Sequence, residues 1–155
     1  MNIEKAALIR ETFPVGPLQC NCTIIGDPIT KKAIVVDPGG NHELILARLD
    51  ALGLKVVSII HTHAHLDHFL ASGQLKEKTG ATLHLHKEDQ FLWDNLEMQC
   101  QMFGVPYTPV PPPDRWLEHD EELACGCGVA LHTPGHTPGS MSFWFADAKL
   151  LIAGD

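Results

Sequence analysis

No stretch of this 155-residue chain is apolar for long enough to cross a bilayer, and Met1-Asn2-Ile3-Glu4-Lys5 lacks the basic segment and apolar run of a secretory leader. The expectation is a cytoplasmic protein with no membrane partner. Positive charge is also scarce, with 11 Lys and Arg against 19 Asp and Glu and a formal net charge of -8 with His neutral. Such a chain has no general attraction for nucleic acid, which is therefore not expected as a partner. Cys-x-x-Cys spacing is missing as well. Four of the five cysteines form the pairs Cys20/Cys22 and Cys125/Cys127, one residue apart rather than the two of zinc knuckles and redox motifs. Reduced, buried thiols are the plain reading.

What remains is an ordinary globular composition, 45% apolar, at a length that suggests one domain over residues 1–155. Extended runs at Lys5 to Phe13, Cys22 to Gly26 and Ala33 to Val36 read as consecutive strands. Asn41 offers an N-cap to a helix in which Ile45, Leu49 and Leu52 recur at helical spacing up to Gly53. The strand Val56 to Ile60, a helix from Phe69 to Lys78 and a strand over residues 81–86 continue a β-α-β alternation. Residues 87–103 form the longest helical candidate, ended by Gly104. Five prolines between Val105 and Asp114 exclude helix or central strand there. Glu121 to Cys127, Val129 to His132, Met141 to Phe145 and Leu150 to Ala153 then suggest antiparallel strands, so the fold class is α/β.

Directly behind the Val56 to Ile60 strand stands His61-Thr62-His63-Ala64-His65-Leu66-Asp67-His68. Open α/β sheets bind ligands at such strand ends. Imidazole and carboxylate donors suit zinc, iron and manganese. Residues two apart on an extended loop point the same way, so His63 and His65 suit one ion while Asp67 and His68 face a neighbouring position. One loop feeding two adjacent positions is the pattern of a two-metal site. His136, held between Pro134-Gly135 and Pro138-Gly139, and Asp155, after the run Leu150 to Ala153, stand at two further strand ends. Asp37 is either a candidate acceptor for a ligand imidazole or a turn-forming residue before Pro38. His61 reads as a packing or orienting residue. His84 and His86 share one strand face and read as solvent-facing or supporting residues, and His42, His119 and His132 as ordinary polar positions.

Thr62 to His68, Pro134 to Ser140 and Ala153-Gly154-Asp155, in that order, resemble the metallo-β-lactamase superfamily. Asn21-Cys22, Val36-Asp37-Pro38-Gly39-Gly40 and His136-Thr137-Pro138-Gly139-Ser140 are similar to its glyoxalase II, or hydroxyacylglutathione hydrolase, branch. This resemblance runs from about Phe13 to Asp155. It implies an αββα sandwich, with His63, His65 and His136 on one metal, Asp67 and His68 on a second, and Asp155 between them. The family's further His on the second metal has no counterpart before the end of this sequence. A chain shortened at its C-terminus is therefore expected, with the later part of the sandwich's second half missing.

The cofactors implied are two divalent metal ions, zinc foremost, with iron or manganese also compatible. A cation pair lowers the pKa of bound water toward about 7 and supplies hydroxide without a Ser or Cys nucleophile. Asp67 would ligate and orient that hydroxide. The resemblance supplies the substrate: a small-molecule glutathione thioester, S-lactoylglutathione or a related S-(2-hydroxyacyl)glutathione, cleaved to glutathione and a 2-hydroxy acid in the disposal of methylglyoxal. One alternative is a persulfide dioxygenase with a single iron on His63, His136 and Asp155. Another is a metal-binding fragment without full turnover.

Overall fold

The computed structural model describes residues 7–124 and 127–154, arranged as two β-sheets with helices against the outer face of the first. The first sheet runs β1 (Ile9–Val15), β2 (Cys20–Gly26), β3 (Lys32–Val36), β4 (Lys55–Ile60), β5 (Thr82–His86) and β6 (Arg115–Leu117) in sequential order. Its first two pairings are antiparallel, and from β3 onward the strands are parallel. The crossovers carry α1 (His42–Ala51) and α2 (Ser72–Thr79), as parallel neighbours require. A second, antiparallel sheet contains β7 (Glu121–Glu122), β8 (Val129–His132), β9 (Met141–Phe145) and β10 (Leu150–Ala153), in the order β10-β9-β8-β7.

Strand alternation divides the apolar residues between two cores. Cys22, Ile24, Ala33 and Val35 face Ile45, Leu49 and Leu75 of the helices, while Ile25, Ile34 and Val36 face Ala130, Met141, Phe143 and Phe145 of the second sheet. A register shift between β3 and β4 leaves Val57 as the extra residue, with Ala33 opposite Val56 and Ile34 opposite Ser58. The strand's parity flips there, so Val56 and Ile59, three residues apart, share the helix-side core.

Four details differ from the sequence reading. Residues 87–103 do not form one helix; a 3-10 turn at Lys87–Asp89 leads into α3 (Gln90–Asp94) and α4 (Leu96–Phe103), which meet at Asn95. The Leu92 carbonyl at that break accepts from the Asn95 amide and from Gln99 Nε2. The bend lets Trp93 stack on Phe69 at 4.1 Å and 15°. Second, Asn41 does not cap α1 with its side chain; it adopts φ 52°, and its Oδ1 accepts from the Gly16 amide at 2.7 Å. Third, β6 follows the proline segment directly, docked on β5. Cys20, Cys22 and Cys100 are free and buried as expected, whereas Cys127 is in a disulfide, which corrects the reading of reduced thiols throughout.

Candidate metal centre

Two loops from different sheets meet over the C-terminal end of β4. The first, residues 61–68, is pinned from below by Asp37, which follows β3 in a left-handed conformation at φ 55°. Its buried carboxylate accepts from the Thr62 amide (2.8 Å), from Thr62 Oγ1 (2.6 Å) and from His68 Nδ1 (2.9 Å). Gly39 then lies so close to the Asp67 carbonyl that any β-carbon there would overlap it. The Thr62 carbonyl accepts from the Met141 amide at 2.7 Å, which docks the start of β9 onto the same loop.

His63, His65 and His136 converge on one point. Each pair of rings has centroids 4.8 Å apart, with planes 87–88° to one another, and the three donor atoms lie within 4.8 Å of one another. Mutually perpendicular rings aim three in-plane lone pairs at a common centre. His136 Nε2 and His65 Nδ1 are 3.1 Å apart, close to the ~3.3 Å that two nitrogens on one tetrahedral zinc would take at 2.0–2.1 Å bond lengths. His63 Nδ1 donates to Thr62 Oγ1 at 3.0 Å, and that hydroxyl donates to Asp37, so Nε2 is left as the acceptor nitrogen. Burial, reinforced by repulsion from His68, pushes the His63 pKa down to about 3, and burial also lowers that of His65. Both rings are thus neutral, as ligation requires. This donor set fits a transition-metal cation.

Asp67 and His68 form the adjacent position, with Asp67 Oδ2 at 3.4 Å from His68 Nε2 and the His63 and His68 rings 4.0 Å apart. Although burial opposes it, hydrogen bonding to Asp37 and Cys20 raises the His68 pKa to about 11. A cation at Nε2 would take the place of that proton. Cys20 completes this group, its Sγ 3.3 Å from His68 Nδ1. Asp155 lies outside the described residues. Gly154 before it runs so close to the first loop that a β-carbon there would meet Thr62 Oγ1 at 2.7 Å and His63 Nδ1 at 2.8 Å.

Asp89 was not singled out from sequence, yet it joins the two loops. Fully buried after β5, it accepts from the Ala64 amide (3.0 Å) and Thr137 Oγ1 (2.8 Å) through Oδ2, and from the Gly139 amide (2.7 Å) through Oδ1. Nothing in Lys87-Glu88-Asp89 separates this carboxylate from a solvated helix start. The only hint is its place after a parallel strand's C-terminal end. His61 takes the orienting role expected of it. It is buried edge-on to Trp93 and bonded to the His84 carbonyl (2.8 Å) and Ser72 Oγ (2.6 Å).

The sequence matches the metallo-β-lactamase superfamily over residues 15–155, and the chain belongs to that family. Among its relatives is the hydroxyacylglutathione hydrolase GloC of Haemophilus influenzae, 38% identical over 149 residues, which span 94% of this chain and 70% of the relative. The crystal structure of TTHA1623 in a di-iron-bound form superposes with a TM-score of 0.83 at 30% identity, covering 91% of this chain and 69% of that one. The BLEG-1 B3 metallo-β-lactamase superposes at 0.82 with 29% identity, covering 92% and 70%. The fold is thus the metallo-β-lactamase sandwich, and the two ligand groups form a candidate two-ion site of a metallo-hydrolase.

Two outcomes follow from this geometry. Asparagine at position 89 offers one acceptor oxygen in place of two. Asp89→Asn should therefore weaken the first cation by about 10- to 100-fold in chelator competition, and unchanged affinity would count against the clamp. Burial holds the His61 pKa at about 4, against 6.5 for an unburied imidazole, so between those values the unfolded chain carries a proton that the folded chain refuses. Stability from this residue is complete above pH 6.5 and falls by about 3 kcal/mol as pH drops toward 4. Urea unfolding of metal-free protein should show that loss on top of the same-sign contribution of His63, and His61→Gln should reduce the slope; equal slopes would refute the assignment.

Proposed function

We propose that this chain, acting as one unit over residues 1–155, hydrolyses a glutathione thioester of the S-(2-hydroxyacyl)glutathione type to glutathione and a 2-hydroxy acid. The observation that carries the hydrolytic reading is the perpendicular triad His63, His65 and His136 beside the Asp67/His68 pair. The identity to a relative named hydroxyacylglutathione hydrolase supports the substrate class.

In this reading His63, His65 and His136 hold one divalent ion, Asp67 and His68 the second, and Asp155 both; zinc is the first choice, with iron or manganese as the others. Such ions polarise the thioester carbonyl and bring the pKa of water from about 16 toward about 7. Asp67, partly open to solvent, would orient the attacking water through its free oxygen. Asp37 keeps His68 turned toward the site, and Thr62 does the same for His63. A cavity of about 420 Å³ lined by Cys20, Asp67, His68, Leu151 and Gly154 opens beside the pair, within the size range of small-molecule sites. The departing thiolate, with a thiol pKa near 8.5, leaves without a strong general acid.

The test is hydrolysis of S-lactoylglutathione by the metal-loaded chain, followed by thiol release. Turnover is expected, with losses of at least about 100-fold in His63→Ala and His136→Ala, because even residues behind metal ligands reach that size. Protein that holds two ions yet leaves the thioester intact would overturn the assignment. Oxygen uptake with glutathione persulfide would replace it with an iron dioxygenase.

A further inference from the structure

Away from this centre, a second meeting of the two sheets gathers another set of donors. His86 ends β5 of the first sheet, His132 ends β8 of the second, and Glu88 follows His86 in the 3-10 turn. Their donor atoms all lie within 4.8 Å of one another. The two imidazoles are half-buried and the carboxylate is exposed, so an ion could arrive from solvent.

Two features set this group apart from solvated side chains. His132 Nε2 donates to the Pro138 carbonyl at 2.9 Å, while its backbone amide is held by His119 Nδ1 at 3.0 Å. A carbonyl on one ring nitrogen is the arrangement that fixes metal-ligating imidazoles, and it leaves Nδ1 as a free acceptor. Burial and repulsion from His132 lower the His86 pKa against the opposing pull of Glu88, Asp89 and Glu118, so the ring is neutral at pH 7, as ligation requires. From these juxtaposed residues we propose that His86, Glu88 and His132 form a further site for a borderline divalent cation, zinc, nickel or copper, separate from the hydrolytic pair. Two nitrogens and one carboxylate oxygen are the donor set such ions select.

The site differs from the central one in preorganisation. Its rings lie stacked, 4.0 Å apart and 9° from parallel, whereas the central rings already stand perpendicular. Binding requires the His86 ring to leave the stack by turning about χ2, a soft torsion, and to release the Glu88 amide that its Nδ1 accepts at 3.1 Å. This site therefore fills after the central positions. Once filled, it ties β5 to β8 and, through the His132 to Pro138 bond, steadies the loop that carries His136.

The experiment strips the full chain with a chelator, titrates it with zinc and counts bound ions by native mass spectrometry, with histidine ring protons followed by NMR. The intact chain should bind one ion more than His86→Ala, and Glu88→Gln should weaken that last step by tenfold or more. The ring protons of His86 and His132 should shift together with the last equivalent, a readout that needs no variant. The same ion count and affinities in His86→Ala, or a last equivalent that leaves both rings unmoved, would overturn the site. Hydrolytic activity plays no part in either result.

Discussion

One buried carboxylate connects the parts of this site that the chain supplies separately. The His61–His68 loop leaves the first sheet and the His136 loop leaves the second, and Asp89, at the end of a third strand, accepts from Ala64 in one and from Thr137 and Gly139 in the other. With no such clamp, convergence of His136 on His63 and His65 would rest on the single Thr62 to Met141 backbone bond and on loop conformation, and ligand positions need holding to about half an ångström. Close packing at Gly139, where a β-carbon would meet the Asp89 amide at 2.6 Å, leaves the clamp no slack. Two opposed sheets thus become one rigid cradle.

A second buried carboxylate sets the charge states. Asp37 binds the Thr62 hydroxyl that orients His63, and it also binds His68 directly. His63 and His65 are kept neutral chiefly by burial, whereas His68, against Asp37, holds its proton strongly. The first position is therefore ready for a cation, while the second must exchange a proton for one. The two halves would thus load by different chemistry although one loop contributes to both.

Much of this was legible in the residues. The spacing of His63, His65, Asp67 and His68 behind a β-branched strand marked candidate ligands and their division into two groups, because alternation on an extended loop is local geometry, and the structure brings both groups together. Asp37 was legible as a candidate acceptor because metal-bound imidazoles need one, although a turn-forming carboxylate before Pro38 reads the same way in sequence. Asp89 was not, since its role arises only when β5 and β8 come together, and no periodicity marks that meeting. The bend at Asn95 was hidden for a similar reason: apolar spacing continues across it, and the bend is set by Trp93 packing on Phe69 and by Gln99 reaching both Leu92 and the Ala64 carbonyl. The short β6 escaped because parallel pairing with β5, not its own three residues, defines it. Asp155 lies outside the described residues, and its place between two ions rests on the family pattern.

The account depends most on three imidazoles sharing a single cation. X-ray absorption at the zinc edge, on chain loaded with one equivalent, tests this directly. The account predicts three imidazole nitrogens at about 2.0–2.1 Å, falling to two in His136→Ala. A spectrum with one imidazole or none, unchanged by loss of His136, would contradict it.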